Sequence, residues 1–152
     1  MLLPFLVFHF GDLMSLYKQF KSDDKLEKQG ILLEYGFNSA EQPITIRIAR
    51  AGGANTAYTK MLETRVKPYR RQIQTETIDN GVVEKLMREV YAATVVLGWE
   101  NVEDSEGNPL PYSVANAVKL FTDLPDLFKD IQEQSQRSAL FRAELLERDS
   151  GN

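Results

Sequence analysis

Cysteine is absent from this 152-residue chain, and histidine occurs once, at His9. The first absence excludes disulfides, thiolate metal sites and a cysteine nucleophile. The second leaves a histidine-based triad or metal centre without its parts. Long apolar runs are also missing. The most apolar stretch, Met1 to Phe10, falls short of the roughly 20 residues of a membrane span. It has no basic n-region, and no small-x-small cleavage site follows it, so it does not read as a signal peptide. Internal repeats, low-complexity tracts and a glycine-rich loop ending in Lys-Ser/Thr are absent too. No enzyme, cofactor or metal is therefore expected.

What is present is an ordinary globular composition, 43% apolar and 26% charged, in a chain the size of one domain. Net charge is −4, unevenly spread: residues 1–71 carry 11 Lys/Arg and 7 Asp/Glu, whereas residues 72–152 carry 7 and 15. An acidic second half argues against a dedicated nucleic-acid binder, which concentrates basic residues on one face. The asymmetry is either a solvated surface or one that orients partners or copies of the chain. Met14-Ser-Leu-Tyr-Lys-Gln-Phe20 is a natural cytosolic start. Residues 1–13 thus read as an extension, 14–149 as a single domain and 150–152 as a fraying tail.

Residues 22–29 read as a polar connector or one helical turn. Ile44, Ile46 and Ile48 alternate with Thr45, Arg47 and Ala49, which predicts a strand, and residues 30–50 read as an antiparallel hairpin. Two strands alone are marginal in water, so one face must pack on helices. Asn55 is placed to cap a helix with Ala57, Tyr58, Met61, Leu62, Val66 and Tyr69 on one side, which Pro68 stops or kinks. Asp79 caps a second helix, whose stripe runs from Val82 to Leu97 with Gly98 at its C-terminal cap. Trp99 to Pro111 is a loop or small hairpin. Ser113 caps a third helix, and Pro125 opens a fourth. The apolar stripe of the fourth thins through Gln134 to Ser138 and resumes at Phe141 and Leu145, as in a helix docked along part of its length. The fold class is α+β, mainly α, with an N-terminal antiparallel hairpin followed by about four helices.

The candidates for chemistry have simpler readings. Asp104 to Gly107 resembles part of a calcium loop but lacks its first and last carboxylates, which leaves a turn. Ala51-Gly52-Gly53-Ala54-Asn55 resembles a phosphate-binding turn without its Lys-Ser/Thr, so a strand-to-helix turn is expected. Lys67-Pro-Tyr-Arg70-Arg71 is basic and carries an aromatic, yet cations at a helix end offset the helix dipole anyway. The carboxylate pairs Asp123 with Asp126 and Glu100 with Glu103 read as solvated caps. Trp99 and Tyr112 are either anchors for a partner or lids on the core.

Several blocks in order carry a resemblance: Ile48-Ala-Arg-Ala-Gly-Gly-Ala-Asn55, Lys67-Pro-Tyr-Arg-Arg-Gln-Ile73, Val96-Leu-Gly-Trp-Glu-Asn101, Gly107-Asn-Pro-Leu-Pro-Tyr-Ser113 and Leu124-Pro-Asp-Leu-Phe128. Together they resemble the tail assembly chaperones of long-tailed phages and prophages over about residues 14–149. The resemblance rests on order and spacing. It implies a protein of the bacterial host's cytoplasm that binds and solubilises the tape measure protein, the helical ruler of tail length. It implies help in recruiting the major tail tube protein, and absence from the mature virion. Self-association is an open expectation; nucleic acid and membrane are not expected partners. A partner groove is expected between the Val82–Leu97 helix and the two C-terminal helices, lined by Tyr91, Val95, Leu120, Phe121, Phe128 and Ile131, which otherwise form the core. The rival readings are a minor tail or head–tail connector component and a small prophage DNA-binding regulator.

Overall fold

Residues 15–142 are described by a computed structural model. The expectations for residues 1–13, for Leu145 and for the tail lie outside them. Two short helices, α1 (Leu16–Phe20) and α2 (Asp24–Gln29), lead into the strands β1 (Ile31–Phe37) and β2 (Pro43–Ile48). Helix α3 (Thr56–Val66) follows. It passes through a 3-10 turn (Lys67–Tyr69) into α4 (Arg70–Gln74). The long helix α5 (Asn80–Thr94) comes next, then β3 (Val96–Glu100), α6 (Val114–Asp123), α7 (Pro125–Gln136) and a closing 3-10 turn (Ser138–Phe141).

The fold is the expected mixed α/β type with an early antiparallel hairpin. Ile31 pairs with Ile48 and Leu33 with Ile46, so the alternating isoleucines share the buried face. The sheet has a third strand where helix was expected. Helix α5 ends at Thr94, and Val96 to Glu100 pairs antiparallel with β2 in the order β1-β2-β3. Gly98, expected as a helix cap, instead lies opposite Arg47. Val95, Val96 and Leu97 are aliphatic and mostly β-branched, and pairing with the exposed backbone of β2 stabilises them as strand more than another helical turn would. A bulge opposite Arg47 and Ile48 leaves Leu97 as an extra residue, so Val96 stays in the core while Leu97 faces out.

Asn55 also departs from expectation. Its side chain makes no capping bond to α3. Its amide donates to the Arg50 carbonyl at 2.8 Å and to the Thr94 carbonyl at 2.9 Å, tying the end of β2 to the end of α5. Asp79 and Ser113 do cap, accepting from Gly81 N–H at 3.0 Å and Asn116 N–H at 3.0 Å. Pro125 occupies the first turn of α7. That helix ends at Gln136 rather than running on, and the chain turns so that Phe141 is fully buried. The thinning of the stripe therefore marks a helix end, not partial docking. The core lies between the inner sheet face and α5, α6 and α7, and includes Ile46, Ile48, Tyr91, Val95, Phe121 and Ile131.

Candidate functional site

The groove expected between α5 and the two C-terminal helices is filled by the chain itself. Tyr91, Val95 and Ile131 are fully buried, with Phe121, Leu120 and Phe128 nearly so. The Tyr91 ring meets Phe128 edge-on at 5.4 Å and Tyr58 edge-on at 5.6 Å, and Phe121 stacks on Phe128 at 4.9 Å. The Gln136 amide donates to the Tyr91 hydroxyl at 3.2 Å. All six residues are core in this conformation, and a partner reaching them has to part α5 from α6 and α7. Apolar spacing on a helix is the same whether the stripe packs at home or on a client, so the sequence left both readings open.

Trp99 and Tyr112 meet edge-on at 5.1 Å, packed against the core. Their polar atoms are taken internally. The indole N–H donates to the Leu110 carbonyl at 2.8 Å, and the Tyr112 hydroxyl lies 2.9 Å from the Ala92 carbonyl and 2.8 Å from that of Val96.

The loop carboxylates serve as local braces. Asp104 accepts from the Glu106 and Asn108 backbone N–H groups, each at 2.9 Å, which builds the turn of a small hairpin closed by the Glu103–Pro109 bridge. Glu103 accepts from Ser39 N–H at 2.8 Å and from its hydroxyl at 2.5 Å. Those two bonds hold its carboxyl below the usual range. Glu100, at the end of β3, lies opposite Thr45. Asp123 pairs with Lys119 at 2.7 Å, and Asp126 sits in the first turn of α7.

The glycine turn does hold an anion, one supplied by the chain. Glu27 of α2 is 2% exposed. Its carboxylate accepts from Ala54 N–H at 3.1 Å, from the Arg50 guanidinium at 3.0 Å and from the Ser22 hydroxyl at 2.6 Å. Burial alone would raise the Glu27 carboxyl. The bonds from Ser22, Ala54 and Arg50, with the charge of Arg50, outweigh it and hold the group below its ordinary value. Gly53 adopts a φ of +55°, and a side chain there would overlap the Glu27 carboxylate. Sequence reading passed over Glu27 as part of a polar connector. The signal available was Asp23, which caps α2 by accepting from Lys25 and Leu26 N–H at 2.8 and 3.2 Å.

The least buried part of the molecule is the arm formed by α3, the 3-10 turn and α4. Residues 56–77 are all exposed or half-buried. The arm runs antiparallel to α5. Tyr58 meets Tyr91 at its base, and further out Arg65 pairs with Glu89 at 2.9 Å. Beyond that pair, Pro68 and Tyr69 face Val82, Lys85 and Leu86 across an open cleft of about 410 Å³. Residues 60–74 hold five cations (Lys60, Arg65, Lys67, Arg70 and Arg71) and one anion, Glu63. Of the basic Lys67–Arg71 motif, Pro68 and Tyr69 line this cleft, beside the polar Thr64, Arg65, Lys85 and Glu89.

Among the described residues, no three His, Cys, Asp or Glu side chains gather as metal ligands, and no helix is long and apolar enough to cross a membrane. No curated protein and no solved structure matches the chain. A family model, described as YdaY prophage protein, matches residues 53–152, more than half of the chain, taking in the arm, α5, β3, α6 and α7. On that match the chain belongs to the YdaY family of prophage proteins.

Proposed function

We propose that this prophage protein is a tail assembly chaperone. It binds the tape measure protein in the host cytoplasm, keeps it dispersed, helps bring tail tube subunits to it, and leaves before the virion is complete. The observation that carries this reading is the ordered set of sequence blocks resembling such chaperones, in a chain whose family is a prophage family. Surface physics is compatible with it. Around a well-packed core, large apolar side chains lie open on α1, on the outer sheet face and along the arm: Tyr17 is 81% exposed, Leu32 54% and Ile73 43%. A long ruler shows apolar stripes before it is enclosed, and covering them stops it aggregating.

Mass spectrometry of purified particles of the encoding phage tests the reading against a minor tail or connector component. The chaperone is absent from finished particles; a structural component is present in fixed copy number. The DNA-binding alternative draws only on the cations of the arm, and a salt-dependent gel shift tests it.

A further inference from the structure

We propose that the free edge of β1 is the seat of a second copy of this chain, which pairs with it antiparallel across a two-fold axis and joins the two sheets into one. The assignment is independent of the chaperone reading above. In the order β1-β2-β3, no described strand lies beyond β1. The β3 side is occupied: the Tyr112 hydroxyl lies 2.8 Å from the Val96 carbonyl, and the Trp99 indole N–H donates to the Leu110 carbonyl at 2.8 Å. Along β1, one row of backbone N–H and C=O groups has no strand to pair with among the described residues, and such a row takes up an extended segment.

The core also stops short at this edge. On β2 the inner-face residues Ile46 and Ile48 are 2% and 0% exposed, whereas Ile31, Leu33 and Tyr35, on the same face of β1, pack against the core and stay half-buried. A second β1 laid alongside sets Ile31 beside Tyr35 and Leu33 beside Leu33, so each copy finishes the rim of the other's core. A two-fold axis makes the contact self-complementary, the usual form of a dimer interface.

Charge sets the register and favours a second copy as the occupant. Directly opposed residues of antiparallel strands share a face, so the axis places one residue opposite itself. An axis at Glu34 sets two carboxylates against each other. After Glu34 a bulge breaks the pairing with β2, with Gly36 at a φ of +75°. An axis at Leu33 avoids both and lays Glu34 beside Leu32 of the second copy. Leu32 is itself opposite Arg47. Arg47 is exposed and donates to the Gly30 carbonyl at 3.3 Å, and neither it nor Glu34 has an ion pair among the described residues. Glu100, the other carboxylate of this face, lies across β2 from the edge. The axis thus brings each Glu34 within side-chain reach of the other copy's Arg47. The charges at the ends of β1 (Asp24, Lys25 and Lys28 on α2, Glu41 at the hairpin tip) are of mixed sign and favour no other register.

The test is sedimentation velocity on the purified full chain. The paired stretch is short, so the contact belongs to the weak class and the dimer should build up between ~0.01 and ~1 mM chain. Glu34→Arg sets cation against cation across the axis, and Arg47→Glu sets carboxylate against carboxylate. Each variant alone should dissociate at least about tenfold more readily than wild type, with an unchanged circular dichroism spectrum showing that the fold survives. An equal mixture of the two should dimerise again, because both cross-copy contacts are then between opposite charges. That recovery depends on contact between copies, and an effect inside one chain does not produce it. A wild type that stays monomeric up to ~1 mM overturns the proposal; this is also the outcome if residues outside the described range cover the edge. A dimer indifferent to both substitutions, or a mixture no more associated than its components, overturns it as well.

Discussion

The Glu27 carboxylate lies 3.0 Å from the Arg50 guanidinium and, through the same oxygen, 3.1 Å from the Ala54 N–H, so one buried charge joins α2, the end of β2 and the turn into α3. Replacing it by glutamine leaves Arg50 without its partner and weakens the bonds from Ser22 and Ala54. Hydrogen bonds to charged groups contribute roughly 1.5–3 kcal/mol each, and breaking such a buried network costs toward the upper part of that range. Glu27→Gln should lower the urea midpoint near neutral pH by an amount equivalent to about 2–3 kcal/mol. The pH dependence has a definite sign. The folded carboxyl titrates below its unfolded value, so this stability is present above about pH 4.3 and is lost as pH falls through the folded value. Wild type should therefore lose stability on acidification more steeply than Glu27→Gln.

Gly53 couples to that charge. Its φ of +55° is strained for any side chain, and a methyl there meets the Glu27 carboxylate. Gly53→Ala should cost roughly 1–3 kcal/mol. In a Glu27→Ala background the overlap is gone, so the cost should shrink, and a double-mutant cycle by urea denaturation measures the difference. Simple additivity would show that the turn does not close on the carboxylate.

How much of this was legible in sequence follows from which interactions are local. The isoleucine alternation of β2, the Asp79 and Ser113 caps and the Pro125 helix start are signals within a few residues, and the structure has them where they were expected. Strand β3 was hidden because Val96 becomes a strand only beside Ile48, 48 positions earlier. Asn55 had the residue type of a cap, but the buried carbonyls of Arg50 and Thr94 engage its amide. Glu27 looked like any solvated charge until Arg50 and the glycine turn closed over it. For the groove residues the helical spacing was legible, but not whether the stripe faces its own core or a client. The cleft by the arm depends on a gap between two helices, which no local pattern encodes.

Core and surface on the two C-terminal helices separate by mutation. Phe128 is 8% exposed and touches both Tyr91 and Phe121, whereas Leu124, four residues earlier, is 48% exposed. Phe128→Ala should cost about 3–5 kcal/mol, the usual effect of emptying an aromatic site in a core. Leu124→Ala should stay within about 0.5 kcal/mol. Thermal denaturation of the two variants checks both.

Alkaline titration reports on the base of the arm. Burial, then the neighbouring Tyr91 hydroxyl, pushes Tyr58 up to about 12. A phenol held neutral in the fold stabilises it fully below its unfolded value near pH 10, and that contribution disappears as pH rises toward 12. Phenolate absorbance should therefore show one late-ionising tyrosine fewer in Tyr58→Phe than in wild type, with Tyr35 and Tyr112, also raised by burial, still late in both. The variant's stability should also fall less between pH 10 and 12. Loss of a phenol that ionises at about pH 10, with the late phase unchanged, would instead place this phenol in solvent.

The most direct measurement is the soluble fraction of the cognate tape measure protein, expressed in bacteria with and without this chain and followed by centrifugation and immunoblotting. The account predicts that the ruler partitions mainly to the pellet alone, moves to the supernatant with the chain present, and co-purifies with it. A ruler that stays soluble by itself, or that remains in the pellet with abundant folded chain present, contradicts the account.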